Sequence, residues 1–514
     1  MRLLRSTAVV GLFTMASRVL GFIREIMFAA YIGAGAAMDV FLTAFQFPNL
    51  FRRIFAEGAF NSAFVPLYGE KLEKEGAEEA REFARQVAAV LATAMLVFVI
   101  VAQLAMPWLM YLLGPGFRDD PGLFQTAILL TQITMPYLLM MSLSAMLSGV
   151  LNAHGKFAVA AAAPVILNLT LIGIMFFTEV RGADLTYYLS FGITVSGVLQ
   201  TAWIYAAMRS VGIGLAWRIP KLTVDVKKLI LLGVPGALAA GVTQINILVT
   251  SSIATFQEGA RSWLYYADRL YQLPLGVVGI AMGVVLLPTL TARLNADDTD
   301  GASNALNRGI EISMALTLPA AVAIATMPGF LVQGLFERQA FTAEDSLMVG
   351  RALIPFAVGL PAFVLIKVLS PGFFARKDTK TPMKFATLSV VVNLALGIAL
   401  FLGPLQYLGL AIATAVAGWV NVICLAAMLH HRGILRPDAR LVARMPRIGL
   451  AAGVMGVFLY FAERHADRIT DLVYDHRLAA LIAVAVAGAG IYGLSALLTG
   501  ALRTSEVKAA LTRS

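Results

Sequence analysis

Long apolar runs, most of them about twenty residues, follow one another along the whole chain and are separated by short polar connectors. A run of this length is what an α-helix needs to cross a bilayer, and the short alternating pattern of a membrane β-barrel does not occur. The pattern therefore predicts an all-α integral membrane protein with about fourteen transmembrane helices. The segments lie near residues 6–32, 36–66, 84–113, 123–150, 157–178, 185–208, 229–255, 262–291, 309–333, 347–373, 383–403, 406–429, 445–462 and 478–499.

Composition supports this class. The 514 residues are 59% hydrophobic and 14% charged, with a mean hydropathy of +0.79, whereas soluble domains are about 45–50% apolar and about 25% charged. Cys424 is the single cysteine, so neither an intramolecular disulfide nor a thiolate metal site can form. The five histidines fall in or beside loops without a metal-binding spacing. We therefore predict neither a metal nor a cofactor.

The distribution of lysine and arginine predicts the orientation. Of the 40 cations, 26 fall in one set of alternate loops, 7 in the other set and 7 inside apolar segments. Because cytoplasmic loops are enriched in Lys and Arg, this bias indicates an even number of spans with both termini in the cytoplasm. The net charge of +10 is then a topology signal and a contact with lipid headgroups, and it requires no nucleic acid partner.

Seven cations stand inside apolar segments. Each costs about 2.5–3.5 kcal/mol at the centre of a membrane helix, roughly 18–25 kcal/mol in all if they faced lipid. This cost favours helices that surround a water-filled, positively charged cavity for an anion. The seven are Arg18, Arg24, Arg52, Arg53, Arg269, Arg351 and Lys367. Arg351 and Lys367 lie nearer the ends of their span, where snorkelling to headgroups is an equal alternative.

Polar residues recur at three- and four-residue steps in the first segment, which gives one polar helical face. Ser17, Arg18, Arg24 and Glu25 belong to this face, and the seven-residue spacing predicts that Glu25 partly offsets the charge of Arg18.

In the second segment Pro48 removes a backbone N–H, which predicts a kink or break and a freed carbonyl near Ala44. Asn49, Arg52, Arg53 and Glu57 follow. Arg53 and Glu57 are i,i+4 neighbours, which leaves Arg52 as the better ligand-facing cation.

The eighth segment repeats this arrangement, with Asp268, Arg269 and Gln272 on one face before a bend at Pro274. The seven cations exceed the four carboxylates of these segments by three. A headgroup that carries a diphosphate would suit this surplus, and arginine binds phosphate through paired hydrogen bonds. The carboxylates are Glu25, Asp39, Glu57 and Asp268.

Sequence echoes suggest an internal duplication. Gln46-Phe47-Pro48 and Gln272-Leu273-Pro274 are 226 positions apart. We therefore predict two six-helix halves, residues 1–212 and 225–432, related as parallel repeats with a cavity between them, and a final helix pair in residues 440–502.

Several blocks strongly resemble the MurJ (MviN-type) lipid II flippases of bacteria, which belong to the multidrug/oligosaccharidyl-lipid/polysaccharide exporter superfamily. The resemblance spans the chain and implies fourteen spans. The blocks are residues 17–25 (SRVLGFIRE), 39–41 (DVF), 47–53 (FPNLFRR), 57–60 (EGAF), 63–66 (AFVP), 265–270 (YYADRL), and 367–369 with 371–376 (KVL, PGFFAR).

The resemblance implies a transporter, not an enzyme, that moves undecaprenyl-diphosphate-linked peptidoglycan precursor from the cytoplasmic to the periplasmic leaflet of the bacterial inner membrane. It implies that Arg24, Arg52 and Arg269 bind the diphosphate. The resemblance implies a support or gating role for Arg18, Asp39, Glu57 and Asp268, and we extend this expectation to Ser17, Glu25, Asn49, Arg53, Gln272 and Lys367. It also implies that the final helix pair forms a groove for the polyprenyl tail.

Some members of the family bind sodium through a carboxylate in the seventh segment, but residues 229–255 contain no Asp or Glu. Sodium coupling is therefore not expected, while coupling to membrane potential or protons stays open. We expect a monomer in contact with membrane lipids; association with the cell-wall synthesis machinery stays open.

Three alternatives remain. A flippase of another polyprenyl-linked oligosaccharide would use the same cations. A drug or cation antiporter of the superfamily would need an anionic cavity, the opposite sign. A membrane enzyme acting on a lipid-linked sugar would need an acid, base or metal site on an extramembrane segment, and the longest connectors here are only about 20 residues.

Overall fold

The computed structural model describes residues 2–53, 60–210, 218–472 and 476–502, and every regular element in these ranges is helical. Ten helical stretches in these ranges, with Pro121–Ala153 (α6 and α7 below) counted as one, are long and apolar enough to cross a membrane, so the predicted all-α membrane fold is confirmed. The α-helices are α1 (Arg2–Ile32), α2 (Ala36–Phe51), α3 (Phe60–Lys74), α4 (Ala77–Leu104), α5 (Met106–Leu113), α6 (Pro121–Thr134), α7 (Pro136–Ala153), α8 (Phe157–Phe177), α9 (Gly182–Ser210), α10 (Val224–Ala254), α11 (Ala260–Asn295), α12 (Thr299–Thr326), α13 (Pro328–Phe336), α14 (Ala343–Phe374), α15 (Lys380–Phe401), α16 (Tyr407–His431), α17 (Ala439–Arg464), α18 (Ala466–Asp471) and α19 (Arg477–Leu498).

Each of the fourteen apolar segments coincides with one helix or with two successive helices. Three segments are divided, at Ala105, Met135 and Met327. In each case a proline occupies the first or second position of the next helix. The N–H groups of these positions have no partner within the helix, so proline loses no hydrogen bond there. Segment 36–66 contains α2 and the start of α3, and residues 54–59 between them lie outside the described ranges. The count of fourteen spans stays a prediction.

Pro48 lies inside α2, which continues to Phe51, so of the predicted kink or break the break does not occur and the kink stays a prediction. The freed carbonyl is present, however: the hydroxyl of Thr134 on α6 donates to the oxygen of Ala44 at 2.7 Å. A side chain from a neighbouring helix thus supplies the donor that proline lacks. In the same way α11 runs unbroken through Pro274.

The chain divides into two compact units. The first contains Met1–Ser262 together with Gln339–Phe341. Within it α1 packs against α8, α2 packs against α6, and α9 packs against α7 and α8. Helix α10 packs against α3, and Lys71 of α3 contacts Asp225 of α10 at 3.0 Å. The sequence analysis assigns α10 to the second half, whereas the division places this helix in the first unit.

The second unit contains Trp263–Arg338 and Thr342–Ser514. Helix α14 packs against α12 and α16, and α15 packs against α16. The last long helices belong to this unit, because α17 packs along α12 and α19 packs on α17. Gly456 of α17 permits a close approach: a Cβ atom there would lie 2.6 Å from Cγ1 of Val322. The final pair is therefore anchored to the second unit.

Candidate substrate-binding site

Arg24 lies on α1 in the first unit, where two polar side chains hold its guanidinium. Nη1 donates to Oδ1 of Asn168 at 2.9 Å, and Nη2 contacts Oε1 of Glu25 at 2.5 Å. The guanidinium carbon also lies 5.3 Å from the ring centroid of Phe28. Only 11% of the Arg24 side chain is exposed. The result is an oriented cation within an apolar helix, which is a suitable ligand for a phosphate oxygen.

The position of Glu25 corrects one expectation. The sequence analysis expects this carboxylate to offset part of the charge of Arg18, seven residues earlier, whereas the structure places it in contact with Arg24. Glu25 is buried, and Arg18 is exposed on the surface of α1. The rotation of each side chain about the helix, rather than the spacing alone, decides which cation the carboxylate reaches.

Asn168 on α8 was not among the predicted site residues. Its Oδ1 accepts from Arg24, while its Nδ2 donates to the backbone oxygen of Ser17 at 2.9 Å. Gly21 lies against the same amide, since a Cβ atom there would be 3.7 Å from Nδ2. Ser17 thus supports the site through its backbone. An asparagine within an otherwise apolar run was the signal available in the sequence.

Arg52 and Arg53 follow α2 in a π-helical turn. Nε of Arg52 donates to Oδ1 of Asn49 at 2.7 Å. Asn49 lies three residues earlier, on the same side of the helical turn, and therefore orients the guanidinium. Arg52 is half-buried and Arg53 is exposed. Glu57, the predicted partner of Arg53, lies outside the described residues.

Asp39 is buried in the first turn of α2 and accepts two backbone hydrogen bonds. The N–H of Gly259 donates to Oδ2 at 2.8 Å, and the N–H of Ser262 donates to Oδ1 at 2.7 Å. The neighbouring Arg261 is also buried and donates to the side-chain oxygen of Gln46. Asp39 therefore ties the connector before α11 to α2. Arg261, which the sequence analysis counted only as a loop cation, was missed.

In the second unit, the guanidinium carbon of Arg269 lies 4.6 Å from the ring centroid of Tyr265, one turn earlier on α11. This stacking holds the guanidinium by its face. Asp268 accepts from the side-chain amide of Gln272, so the predicted polar face of α11 forms.

Lys367 and Arg351 both lie on α14 and are exposed. Gly279 of α11 lies beside the lysine stem: a Cβ atom at this glycine would be 3.5 Å from Cγ of Lys367. The apolar part of the lysine therefore packs on α11 while its ammonium stays open to the surroundings.

A further charged cluster lies at the start of α12 and α17, where the sequence analysis saw only loop cations. Glu311 is buried and contacts Arg308, Arg440 and Arg444, and Arg308 also contacts Asp438. Burial raises the pKa of Asp438, but the Leu441 N–H and the Arg308 guanidinium outweigh it and hold the pKa below its usual range.

Arginines held in place within apolar helices are typical of membrane proteins that move charged cargo. The fold and the site therefore indicate a membrane transporter. Comparison with known proteins agrees. The family model described as "Lipid II flippase MurJ" matches residues 28–479. The chain therefore belongs to the lipid II flippase MurJ family.

Individual relatives extend the match over the full chain. A protein of Rhizobium tropici named "Probable lipid II flippase MurJ" is 44% identical over 522 residues, which covers 100% of this chain and 97% of that protein. A relative of Burkholderia cenocepacia named "Lipid II flippase MurJ" is 35% identical over 448 residues, which covers 85% of this chain and 86% of that protein.

Solved structures show the same fold. A structure titled "Lipid II flippase MurJ, inward closed conformation" superposes with a TM-score of 0.81 at 26% identity, covering 96% of this chain and 98% of that one. An inward-facing MATE family multidrug transporter of the MOP superfamily gives a TM-score of 0.67 at 15% identity, and the match covers 83% of this chain and 98% of that one. The second likeness concerns the fold alone.

Proposed function

We propose that this protein is a flippase that moves lipid II, the undecaprenyl-diphosphate-linked peptidoglycan precursor, from the cytoplasmic to the periplasmic leaflet of the bacterial inner membrane. The observation that carries the proposal is family membership along nearly the whole chain. Transport by alternating access, in which the binding site opens to one face of the membrane at a time, fits a family with a solved inward closed state. The chain is accordingly a transporter and not an enzyme.

Arg24, Arg52 and Arg269 are the proposed ligands of the diphosphate. Each guanidinium is oriented by a local partner: Asn168 for Arg24, Asn49 for Arg52, and the ring of Tyr265 for Arg269. An oriented guanidinium loses less conformational entropy on binding and forms charge-assisted hydrogen bonds with phosphate. This argument supports a polyprenyl diphosphate over a cationic drug, because arginines repel cations.

Transport in vesicles tests the proposal. The purified protein is reconstituted with fluorescent lipid II, and the share of label open to an external quencher is followed with time. We expect the protein to speed equilibration between leaflets, and Arg269→Ala to abolish this effect. A polyprenyl diphosphate with a different oligosaccharide serves as the competitor. Faster movement of that competitor would assign the protein to another glycolipid, and no movement of either lipid would overturn the proposal.

We further propose that sodium does not drive the transport. Residues 229–255 offer no carboxylate for the ion, and sodium prefers hard oxygen ligands that compensate its charge. Replacement of Na⁺ by K⁺ on both sides of the vesicles should leave the rate unchanged, whereas collapse of an imposed membrane potential or proton gradient should lower it. A rate that falls with Na⁺ removal alone would contradict this.

A further inference from the structure

A pocket of about 390 Å³ lies within the second unit, toward the other end of α11 from Arg269. Its walls come from the end of α11, the first turns of α12 and the start of α17. The volume is within the range of small-molecule sites, about 300–1,000 Å³. The residues that give the pocket its chemistry are Thr289, Arg293, Asn304, Arg308, Asp438 and Arg440.

The pocket is cationic. Three arginines and one carboxylate line it: Arg293, Arg308 and Arg440 against Asp438. The lining arginines also form ion pairs with Asp298 and Glu311, and Glu311 contacts Arg444 as well. With these three residues included, the cluster contains four arginines and three carboxylates. One positive charge is left over.

Two of the arginines keep a large exposed fraction while they hold their carboxylates. Arg293 contacts Asp298 at 2.6 Å and is 55% exposed, and Arg440 contacts Glu311 at 3.0 Å and is 45% exposed. A guanidinium carries N–H donors on three nitrogens and both side chains remain partly exposed, so both can also donate to a ligand. Asn304, also exposed, adds an amide donor to the same wall.

The backbone adds to the positive potential. Helix α12 begins at Thr299 and α17 begins at Ala439, and both starting turns contribute residues to the pocket. The positive ends of two helix dipoles therefore point toward the same space as the arginines.

We propose that this pocket binds a phosphate group, as an auxiliary site distinct from the lipid II arginines. Arg293, Arg440 and Asn304 donate hydrogen bonds to the phosphate oxygens, while Glu311 and Asp438 hold Arg308 and the start of α17 in place. Arginine matches the geometry of phosphate oxygens, and the charge left over suits a monoanion such as a phosphodiester.

The phosphate can come from a phospholipid headgroup or from a soluble phosphate. The charge bias of the sequence assigns this end of the second unit to the cytoplasmic face. Ile312 and Leu316, one and two turns beyond Arg308 on α12, are apolar and exposed, which provides a surface for acyl chains next to the pocket. Both sources therefore have access, and the experiment includes an arm for each.

Binding to the purified full-length protein in detergent tests the site. Native mass spectrometry and thermal shift are recorded with phosphatidylglycerol, with zwitterionic phosphatidylcholine, and with inorganic phosphate. We expect Arg293→Gln to weaken the binding of the phosphate ligand about tenfold, as loss of a charge-assisted hydrogen bond implies. Asn304→Glu should weaken it by a similar factor, because a carboxylate then repels the phosphate.

Arg447→Gln is the control, since Arg447 is an exposed arginine of α17 that does not line the pocket. Loss of phosphatidylglycerol binding in the two pocket variants but not in the control supports a lipid ligand. The same pattern with inorganic phosphate supports a soluble ligand. The proposal is overturned if neither phosphatidylglycerol nor inorganic phosphate binds to the intact protein, or if the pocket variants bind these ligands as tightly as the intact protein does.

Discussion

Arg24 and Glu25 are adjacent in sequence and contact each other at 2.5 Å on α1. Glu25 is buried, and its contact with the arginine stabilises its charge. Removal of one member of a buried ion pair weakens the compensation of the other and costs up to about 3–5 kcal/mol. Arg24 thus has two roles, as the partner of Glu25 and as a proposed ligand of the diphosphate, and a single alanine variant affects both.

A double variant separates the two roles of Arg24. Arg24→Ala should lower the melting temperature and abolish lipid II transport. Arg24→Ala with Glu25→Gln should recover most of the stability, because the carboxylate charge is gone, yet remain inactive. Melting in detergent and vesicle flipping measure the two effects. Transport by the stable double variant would show that Arg24 is not a substrate ligand.

Asn168 positions Arg24 from α8, 144 residues away in sequence. Asn168→Ala removes a hydrogen bond to a charged group, worth about 1.5–3 kcal/mol, and should reduce lipid II affinity about 10- to 100-fold. The measurement is a titration of transport rate against lipid II. Thr170→Ala is the control on the same helix, because the Thr170 hydroxyl bonds only to its own turn, at Ile166. Equal affinities for Asn168→Ala and the intact protein would rule out the positioning role.

At the scale of elements, the start of α13 shows how two helices of the second unit are joined. Glu463, near the end of α17, accepts the backbone N–H groups of Gly329 and Phe330 at 3.0 and 2.9 Å. The first N–H groups of a helix have no intrahelical partner, so a carboxylate from another helix completes the turn and meets the positive end of the dipole. The sequence next to α13 contains no side chain in that role.

We expect Glu463→Ala to destabilise the second unit by about 1–2 kcal/mol, the usual effect of losing a helix cap. Glu463→Gln should have a smaller effect, because the amide oxygen can still accept one N–H. Asp467→Ala, an exposed carboxylate on α18, is the control. Hydrogen exchange of the Gly329 and Phe330 amides reports the effect. Unchanged protection in Glu463→Ala would show that the contact does not stabilise α13.

At the scale of the whole molecule, the final helix pair belongs to the second unit rather than standing apart from it. The buried carboxylate of Glu311 on α12 takes two of its arginine partners, Arg440 and Arg444, from α17. The hydroxyl of Tyr492 on α19 donates to the backbone oxygen of Ala315 on α12 at 2.6 Å. These contacts, with the close approach of Gly456, make α17 and α19 part of the packing of α12.

Truncation after His430 should therefore destabilise the second unit, because Glu311 is left without Arg440 and Arg444. Limited proteolysis should cut α12–α16 faster in the truncated protein, with little change in α4–α9 of the first unit. Glu311→Gln in the truncated protein should restore part of the resistance. If truncation alone left the proteolysis of both units unchanged, the final helix pair would not stabilise the second unit. Its contribution would then be limited to the predicted groove for the polyprenyl tail.

The sequence by itself determined the class, the helices and the places of the cations. Apolar runs of about twenty residues report burial in lipid directly, so each predicted segment coincides with one helix or two. Arg24, Arg52 and Arg269 are also recognisable in the sequence, since a charge in such a run carries a cost that function must justify. The freed carbonyl of Ala44 followed from the chemistry of proline alone, whereas of the expected kink or break the helix shows no break.

Only the tertiary structure decided the partners. Asn168 meets Arg24 because α8 packs on α1, and Glu311 meets Arg444 because α17 packs along α12. These residues are 144 and 133 positions apart, and helical periodicity relates only residues within a few turns. Because periodicity is local, the sequence analysis assigned Glu25 to Arg18. For the same reason it used the arginines around Glu311 only as evidence for the orientation in the membrane. Hydropathy is local, whereas ion pairs and pockets depend on which helices meet.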